Sequence, residues 1–468
     1  MLGGVIIASL PTLSASSHPL ESTLKCALQE IADASARKYS CTFAIALRGE
    51  DSLQVSVGSG PDGAEAMFVW GSVTKMITGV SVLRAAHAGY FALDDPVAPI
   101  LDPYFAAQGA ANMTLEGLFG PLAKRVTVRQ LATMTAGVPD YDTAKPNETD
   151  FSKSTDPFRA IVYRDPSKDW SPFDLLRVPW VAKGEMAFPP GTDKDYSSTN
   201  FVLLGLVLAA TVGHGVSWDR FDQLAFRPPH AVASGLLNHS RFARHGAPSD
   251  YTSLDAFDRT SYNGHNASSL PGTSVRNVHG VFGGWTASDL VAPVMDVADL
   301  AFDIYGPQSD SSLVSAADIA MMVNKSQVWY GFATFLLNAF TGLPTDAPPP
   351  AVDYGTCYGH LGATYGWNSV AFFTPGTNIS ISVATNTETN EQAGPSDAYC
   401  LAYNRVRQIL AGDPVHDCSY VASGYFGTCV CPGTKYKCEV SHDGNNNRRC
   451  VVSHFATQSY SECAKSCR

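Results

Sequence analysis

Apolar and polar positions divide the chain into a strand-bearing start, a helix-and-loop middle and a strand-bearing end. At the start, residues 20–36 read as a helix. Cys41-Thr42-Phe43-Ala44-Ile45-Ala46-Leu47 and Leu53-Gln54-Val55-Ser56-Val57 then read as two strands around the polar turn Gly49-Glu50-Asp51, which makes a hairpin the natural pairing. The middle predicts a helix from Ser72 to about His87 closed by Gly89, a Thr127-capped helix stopped at Gly137, and an apolar helix over 201–212. Further helical patterns run through 296–301 and 315–323. Between them, residues 138–189, rich in proline, aspartate and aromatics, are expected to shape a substrate opening, and 228–276 are again loop-rich. Strand patterns return at 370–373 and 379–383, flanking Pro375-Gly376-Thr377-Asn378, and a helix over 396–410 follows. Strands at both ends with helices between predict an α+β domain over 20–412: one antiparallel sheet, flanked by N- and C-terminal helices, with a helical lobe inserted.

With 468 residues, 45% hydrophobic and 16% charged, the chain can bury a large core. Its net charge of −11 argues against nucleic acid or an anionic membrane as primary partner, since both require a basic footprint. No apolar run reaches the ~18 residues of a membrane span. Residues 1–17, weakly apolar and ending Ser14-Ala15-Ser16-Ser17, read as a signal peptide without the usual positive start. Asn-x-Ser/Thr sequons at Asn112, Asn147, Asn238, Asn266, Asn324 and Asn378 fit a secreted glycoprotein. Of 11 cysteines, Cys418, Cys429, Cys431, Cys438, Cys450, Cys463 and Cys467 crowd the tail, so 416–468 is expected to be a small disulfide-rich module; paired Cys-x-x-Cys spacing for zinc is absent. The tail count is odd, so one tail cysteine is left to pair with Cys26, Cys41, Cys357 or Cys400, or to stay a thiol.

Candidate chemistry centres on Gly71-Ser72-Val73-Thr74-Lys75. A serine and a lysine three residues apart share one helical face, and a hydroxyl at a helix's positive end is favoured as an alkoxide. Alone, the same pattern is also that of a helix cap followed by a solvated lysine. Further along stand Pro190-Gly191 leading to Tyr196-Ser197-Ser198, and then His360-Leu361-Gly362. In this order, and with Leu93-Asp94-Asp95-Pro96, Thr127-Val128-Arg129-Gln130-Leu131 and Tyr330-Gly331-Phe332 around them, the motifs resemble the serine β-lactamase and penicillin-binding protein superfamily, in its class C-like branch. The resemblance covers residues 20–412 and implies the β-lactamase/transpeptidase-like fold. It also implies Ser72 as nucleophile, Lys75 and Tyr196 sharing the proton work, His360 at the third motif on the sheet edge, and backbone N–H groups of Ser72 and Ala363 as oxyanion hole.

Two departures bear on substrate. Where the family has asparagine, Ser198 removes an amide that would hold an acylamide group, and His360 replaces a lysine, giving an anchor that is mostly uncharged at neutral pH. With Ser198 and Gly362 as substrate-binding residues, the expected protein is a secreted serine hydrolase acting on a small-molecule or peptide acyl donor, an ester or amide, without metal or organic cofactor. A D-amino-acid peptidase or β-lactamase is one alternative, and a catalytically silent scaffold of the same fold is another.

Overall fold

The structure is a computed structural model that describes residues 18–60, 62–142, 153–264, 271–307, 313–324, 329–340, 355–413, 415–416 and 418, with the backbone of Tyr436–Val440 and Arg448–Val452. The signal-peptide reading of 1–17, sequons Asn147 and Asn266, and most of the cysteine-rich tail lie outside the described residues. Six strands make the main antiparallel sheet: β1 (Phe43–Arg48), β2 (Gln54–Gly58), β3 (Phe335–Asn338), β4 (Thr356–Thr364), β5 (Trp367–Thr374) and β6 (Ile379–Thr385). Their order is β2-β1-β6-β5-β4-β3, so the first hairpin is completed by strands from the far end of the chain.

Strand alternation divides the core. Phe43, Ile45, Leu47, Val370, Phe372, Ile381 and Val383 face an apolar cluster shared with the helices α1 (Glu21–Tyr39) and, from the end of the domain, Ala393–Ala411. Ala44, Ala46, Ala371 and Ala384 face the helical lobe; their small side chains let the helix Val294–Tyr305 lie close, and Ser380 and Ser382 donate to its Ala298 and Val294 carbonyls at 2.7 Å each. The lobe supplies α2 (Thr74–His87), α3 (Val128–Ala132), α4 (Pro157–Arg164) and α5 (Ser198–Ala210). Two stretches singled out in the sequence meet here: Arg129 on α3 grips Asp94 through both carboxylate oxygens, at 2.7 and 2.9 Å.

The structure departs from the sequence expectation in three places. Ser72 lies not in the α-helix but on a 3₁₀ turn, Gly71–Val73, that leads into α2. The third motif is one strand in from the edge, because β3 lies outside β4; β3 ends opposite Gly359, however, so His360–Thr364 keep a strand neighbour only in β5. The middle of the chain also contains strands of two or three residues, too short to leave a period, in two small sheets. One of these, the parallel pair Phe257–Asp258 with Thr387–Glu388, brings two acids beside α4. Of the tail, Cys418 is disulfide-bonded to Cys400 on the last helix of the domain, and Tyr436–Val440 pairs with Arg448–Val452.

A buried charge cluster sits around α4. Asp156 caps the helix by accepting from the Arg159 N–H at 2.9 Å and also takes the Arg159 Nε at 2.9 Å. The same guanidinium donates to Asp258 (2.5 Å) and to both Glu388 oxygens (2.7 and 2.8 Å). Burial opposes the arginine's charge, but Glu388, Asp258 and Asp156 hold it fully protonated; burial pushes Asp156 up to about 6 against the pull of Arg159. Arg159→Met leaves three buried carboxylates without their counter-charge and is expected to cost about 3–5 kcal/mol at pH 7 by denaturant titration. The loss should shrink as the pH falls below 6, because protonating those carboxyls replaces what the arginine did.

Candidate active site

The nucleophile's position is set by a close backbone crossing. Gly71 has φ +52°, and a Cβ there would lie 2.5 Å from the Ala363 carbonyl oxygen of β4; one on Gly362 would lie 2.2 Å from the Trp70 oxygen. The Trp70 oxygen also accepts from Ser369 of β5 at 2.9 Å, and its indole donates to Ala292 at 2.9 Å. Held in this way against β4, Ser72 and Ala363 both line one cleft of about 340 Å³, with Tyr196 and Leu361 beside them.

Lys75, one helical turn on, is fully buried. Its Nζ lies 2.8 Å from Ser72 Oγ, 3.2 Å from Ser198 Oγ and 3.1 Å from the Ala287 carbonyl, so three of the sequence-selected residues converge on one point. Burial pulls Lys75 down to about 7, opposed by Asp142 and then Asp140. At that value the amine is substantially unprotonated near neutral pH and can take the serine proton. Tyr196 enters from the loop before α5; its ring stacks on Phe335 (5.9 Å, 16°) and lies 5.1 Å from Lys75 Nζ, and the hydroxyls of Ser72 and Ser198 favour its ionised form. Burial drives this phenol far up, and Asp140 and Asp142 add to the shift, so it stays protonated. Lys75 is therefore the readier proton acceptor of the two.

His360 is brought near but not into the cleft. It is fully buried, its Nδ1 sits 2.5 Å from the Leu361 carbonyl and its Nε2 3.0 Å from the Tyr330 hydroxyl. A carbonyl only accepts, so Nδ1 carries the proton and Nε2 accepts from Tyr330. Burial, reinforced by Lys75, holds the imidazole well below 6.5, hence neutral. Its ring packs 4.8 Å from Phe335 and 6.4 Å from Tyr196, supporting the tyrosine from behind.

Sequence reading singled out neither Asp140 nor Asp142. Asp140 accepts from the Ser198 N–H at 2.9 Å, at the start of α5, and burial pushes it up to about 7. Asp142 lines the cleft, with Ser198 Oγ at 3.4 Å and the Tyr365 hydroxyl at 3.3 Å. Both fall at the start of the segment expected to shape an opening, and only the acids in Pro139-Asp140-Tyr141-Asp142, just past the Gly137 stop, hinted at them. Arg159, Glu388 and Tyr365 complete that side of the cleft and carried no local signal. No group of His, Cys, Asp and Glu among the described residues is arranged to hold a metal ion, and no described helix is long and apolar enough to cross a membrane.

A family model described as Beta-lactamase matches residues 42–402. Among solved structures, a D-stereospecific amidohydrolase from Streptomyces sp. is similar with a TM-score of 0.59 at 19% identity, over 83% of this chain and 99% of that one. The D-amino acid amidase of Ochrobactrum anthropi SV3, solved with L-phenylalanine amide, gives 0.58 at 16% identity over 83% and 99%. An octameric penicillin-binding protein homologue from Pyrococcus abyssi gives 0.53 at 18% over 82% and 76%. At such identities the likeness is one of fold.

If Lys75 is the group that activates Ser72, covalent labelling of Ser72 by a fluorophosphonate should accelerate with pH across about 7, as the amine loses its proton. Lys75→Arg, which stays protonated, should slow labelling by roughly 100-fold or more, since a positioned base contributes at least about that factor. A flat pH profile together with rapid labelling of the variant would contradict the assignment.

Proposed function

The chain belongs to the beta-lactamase family, and from that premise we propose that it hydrolyses amides or esters through an acyl-enzyme on Ser72. The observation that carries this reading is the 2.8 Å contact between Ser72 Oγ and the Nζ of a fully buried Lys75. Neutral Lys75 takes the hydroxyl proton as Oγ attacks the acyl carbonyl. The oxyanion that forms is met by the N–H groups of Ser72 and Ala363, two residues that line the cleft. Tyr196, whose ring lies 5.1 Å from Lys75 Nζ, relays the proton to the departing amine or alcohol as the carbon–heteroatom bond breaks, and water then releases the acyl group from Ser72.

Amides are the favoured class, in keeping with the amidase and amidohydrolase names of two structural relatives. A carboxylate-ended substrate, such as a penicillin, is disfavoured. Among the described residues lining the cleft the only cation is Arg159, and its guanidinium is already engaged by three carboxylates; His360 is neutral and buried. The expected test outcome is that wild-type protein hydrolyses p-nitrophenyl acetate and aminoacyl p-nitroanilides, while Ser72→Ala loses at least ~1,000-fold in kcat/KM. Equal rates for the two proteins would sink the proposal.

We place the protein in the secretory pathway. Sequon residues Asn112, Asn238, Asn324 and Asn378 are all exposed, and the Cys400–Cys418 disulfide belongs to an oxidising compartment. Protein produced through a eukaryotic secretory route should therefore gain electrophoretic mobility on treatment with peptide N-glycosidase. An unchanged band would count against this placement.

A further inference from the structure

Asp142 stands out within the cleft by what it lacks. The Arg159 cage satisfies its members with short contacts of 2.5–2.9 Å, and Asp140 accepts from a backbone N–H at 2.9 Å. The Asp142 carboxylate, half-buried and on the cleft wall, has among the described residues only two long hydrogen-bond contacts, 3.4 Å to Ser198 Oγ and 3.3 Å to the Tyr365 hydroxyl. A carboxylate offers about four acceptor positions, and the described residues fill two of them, both at long range. Burial raises its pKa despite Lys75 and Arg159, which says that the protein alone does not compensate its charge.

Charge balance points the same way. Lys75 and Arg159 face five carboxyl groups, Asp140, Asp142, Asp156, Asp258 and Glu388, and burial still pushes four of them, all but Asp258, toward their neutral forms, so the protein's own cations do not fully compensate the acids. A ligand cation lessens that imbalance, and a ligand carboxylate worsens it. Position narrows the cation to one near the reacting carbonyl: Asp142 and Ser72 line the same cleft, and Asp142 contacts Ser198, which is 3.2 Å from Lys75, which is 2.8 Å from Ser72.

We propose that Asp142 is the specificity-determining residue of this cleft, its carboxylate accepting hydrogen bonds from a primary ammonium on the acyl part of the substrate. The preferred substrates are then unblocked aminoacyl amides or esters, in preference to N-acylated ones. The proposal rests on the hydrolase reading for its location beside Ser72, but recognition can be measured without turnover.

The test is calorimetric titration of the Ser72→Ala protein near neutral pH with phenylalanine amide and with N-acetylphenylalanine amide, each as D and L forms. At least one enantiomer of the free amine should bind tenfold or more tightly than its acetylated counterpart. Adding Asp142→Asn should abolish that difference, while adding Asp142→Glu, which keeps the charge, should retain part of it. Circular dichroism and the thermal midpoint establish that each variant is folded. Equal or weaker binding of the free amines, or a preference that survives Asp142→Asn in folded protein, would overturn the proposal. Because the titration needs no catalysis, loss of the hydrolase reading would show separately, as wild-type and Ser72→Ala proteins with equal rates.

Discussion

Everything at this site depends on how closely two pieces of backbone approach, the turn at Trp70-Gly71-Ser72 and the strand segment Gly362-Ala363. A side chain on either glycine would collide with the other segment's main chain or with its immediate support. The crossing fixes Ser72 against β4, and the 3₁₀ turn then feeds α2 so that Lys75 returns beneath the nucleophile. Since main chains are stiffer than side chains, this contact sets the geometry that softer parts adapt to. Those softer parts are the rings of Tyr196, Phe335, Tyr330 and His360: Tyr196 stacks on Phe335, the other pairs meet edge to face, and together they hold the tyrosine ring over the lysine.

Burial then decides the chemistry. An exposed lysine would stay protonated near pH 7, whereas Lys75, without solvent and with Asp140 and Asp142 only partly offsetting the loss, falls to about 7. His360 and Tyr196 are shifted by the same cause in opposite directions, each toward its neutral form. The same burial thus leaves a titrating amine between two neutral partners, because the three side chains start from different intrinsic pKa values. Across the cleft, the opposite solution is used: Arg159 keeps its charge because three carboxylates surround it.

Much of this was legible in the sequence. The β1–β2 hairpin, the β5–β6 hairpin, the capped helix at Thr127 and the long terminal helices follow from alternation, turn residues and caps that act within a few positions. The order of Ser72, Lys75, Tyr196 and His360 carried the family resemblance. By contrast, the strands β3 and β4 and the two-residue strands of the lobe have no independent period; β4, with glycines at Gly359 and Gly362, is a strand because β5 pairs with it.

What the sequence determined by itself is therefore local and chemical: which segments turn, which residues can attack or carry a proton, and that the chain has an apolar core large enough to bury them. The tertiary structure alone decided charge state and company. Asp142, Arg159 and Glu388 come from loops and short elements separated in the chain, and only the packing of the lobe against the sheet brings them to one cleft. Protonation depends on desolvation and on neighbours within a few ångströms, quantities that spacing along a chain does not encode until the fold has closed.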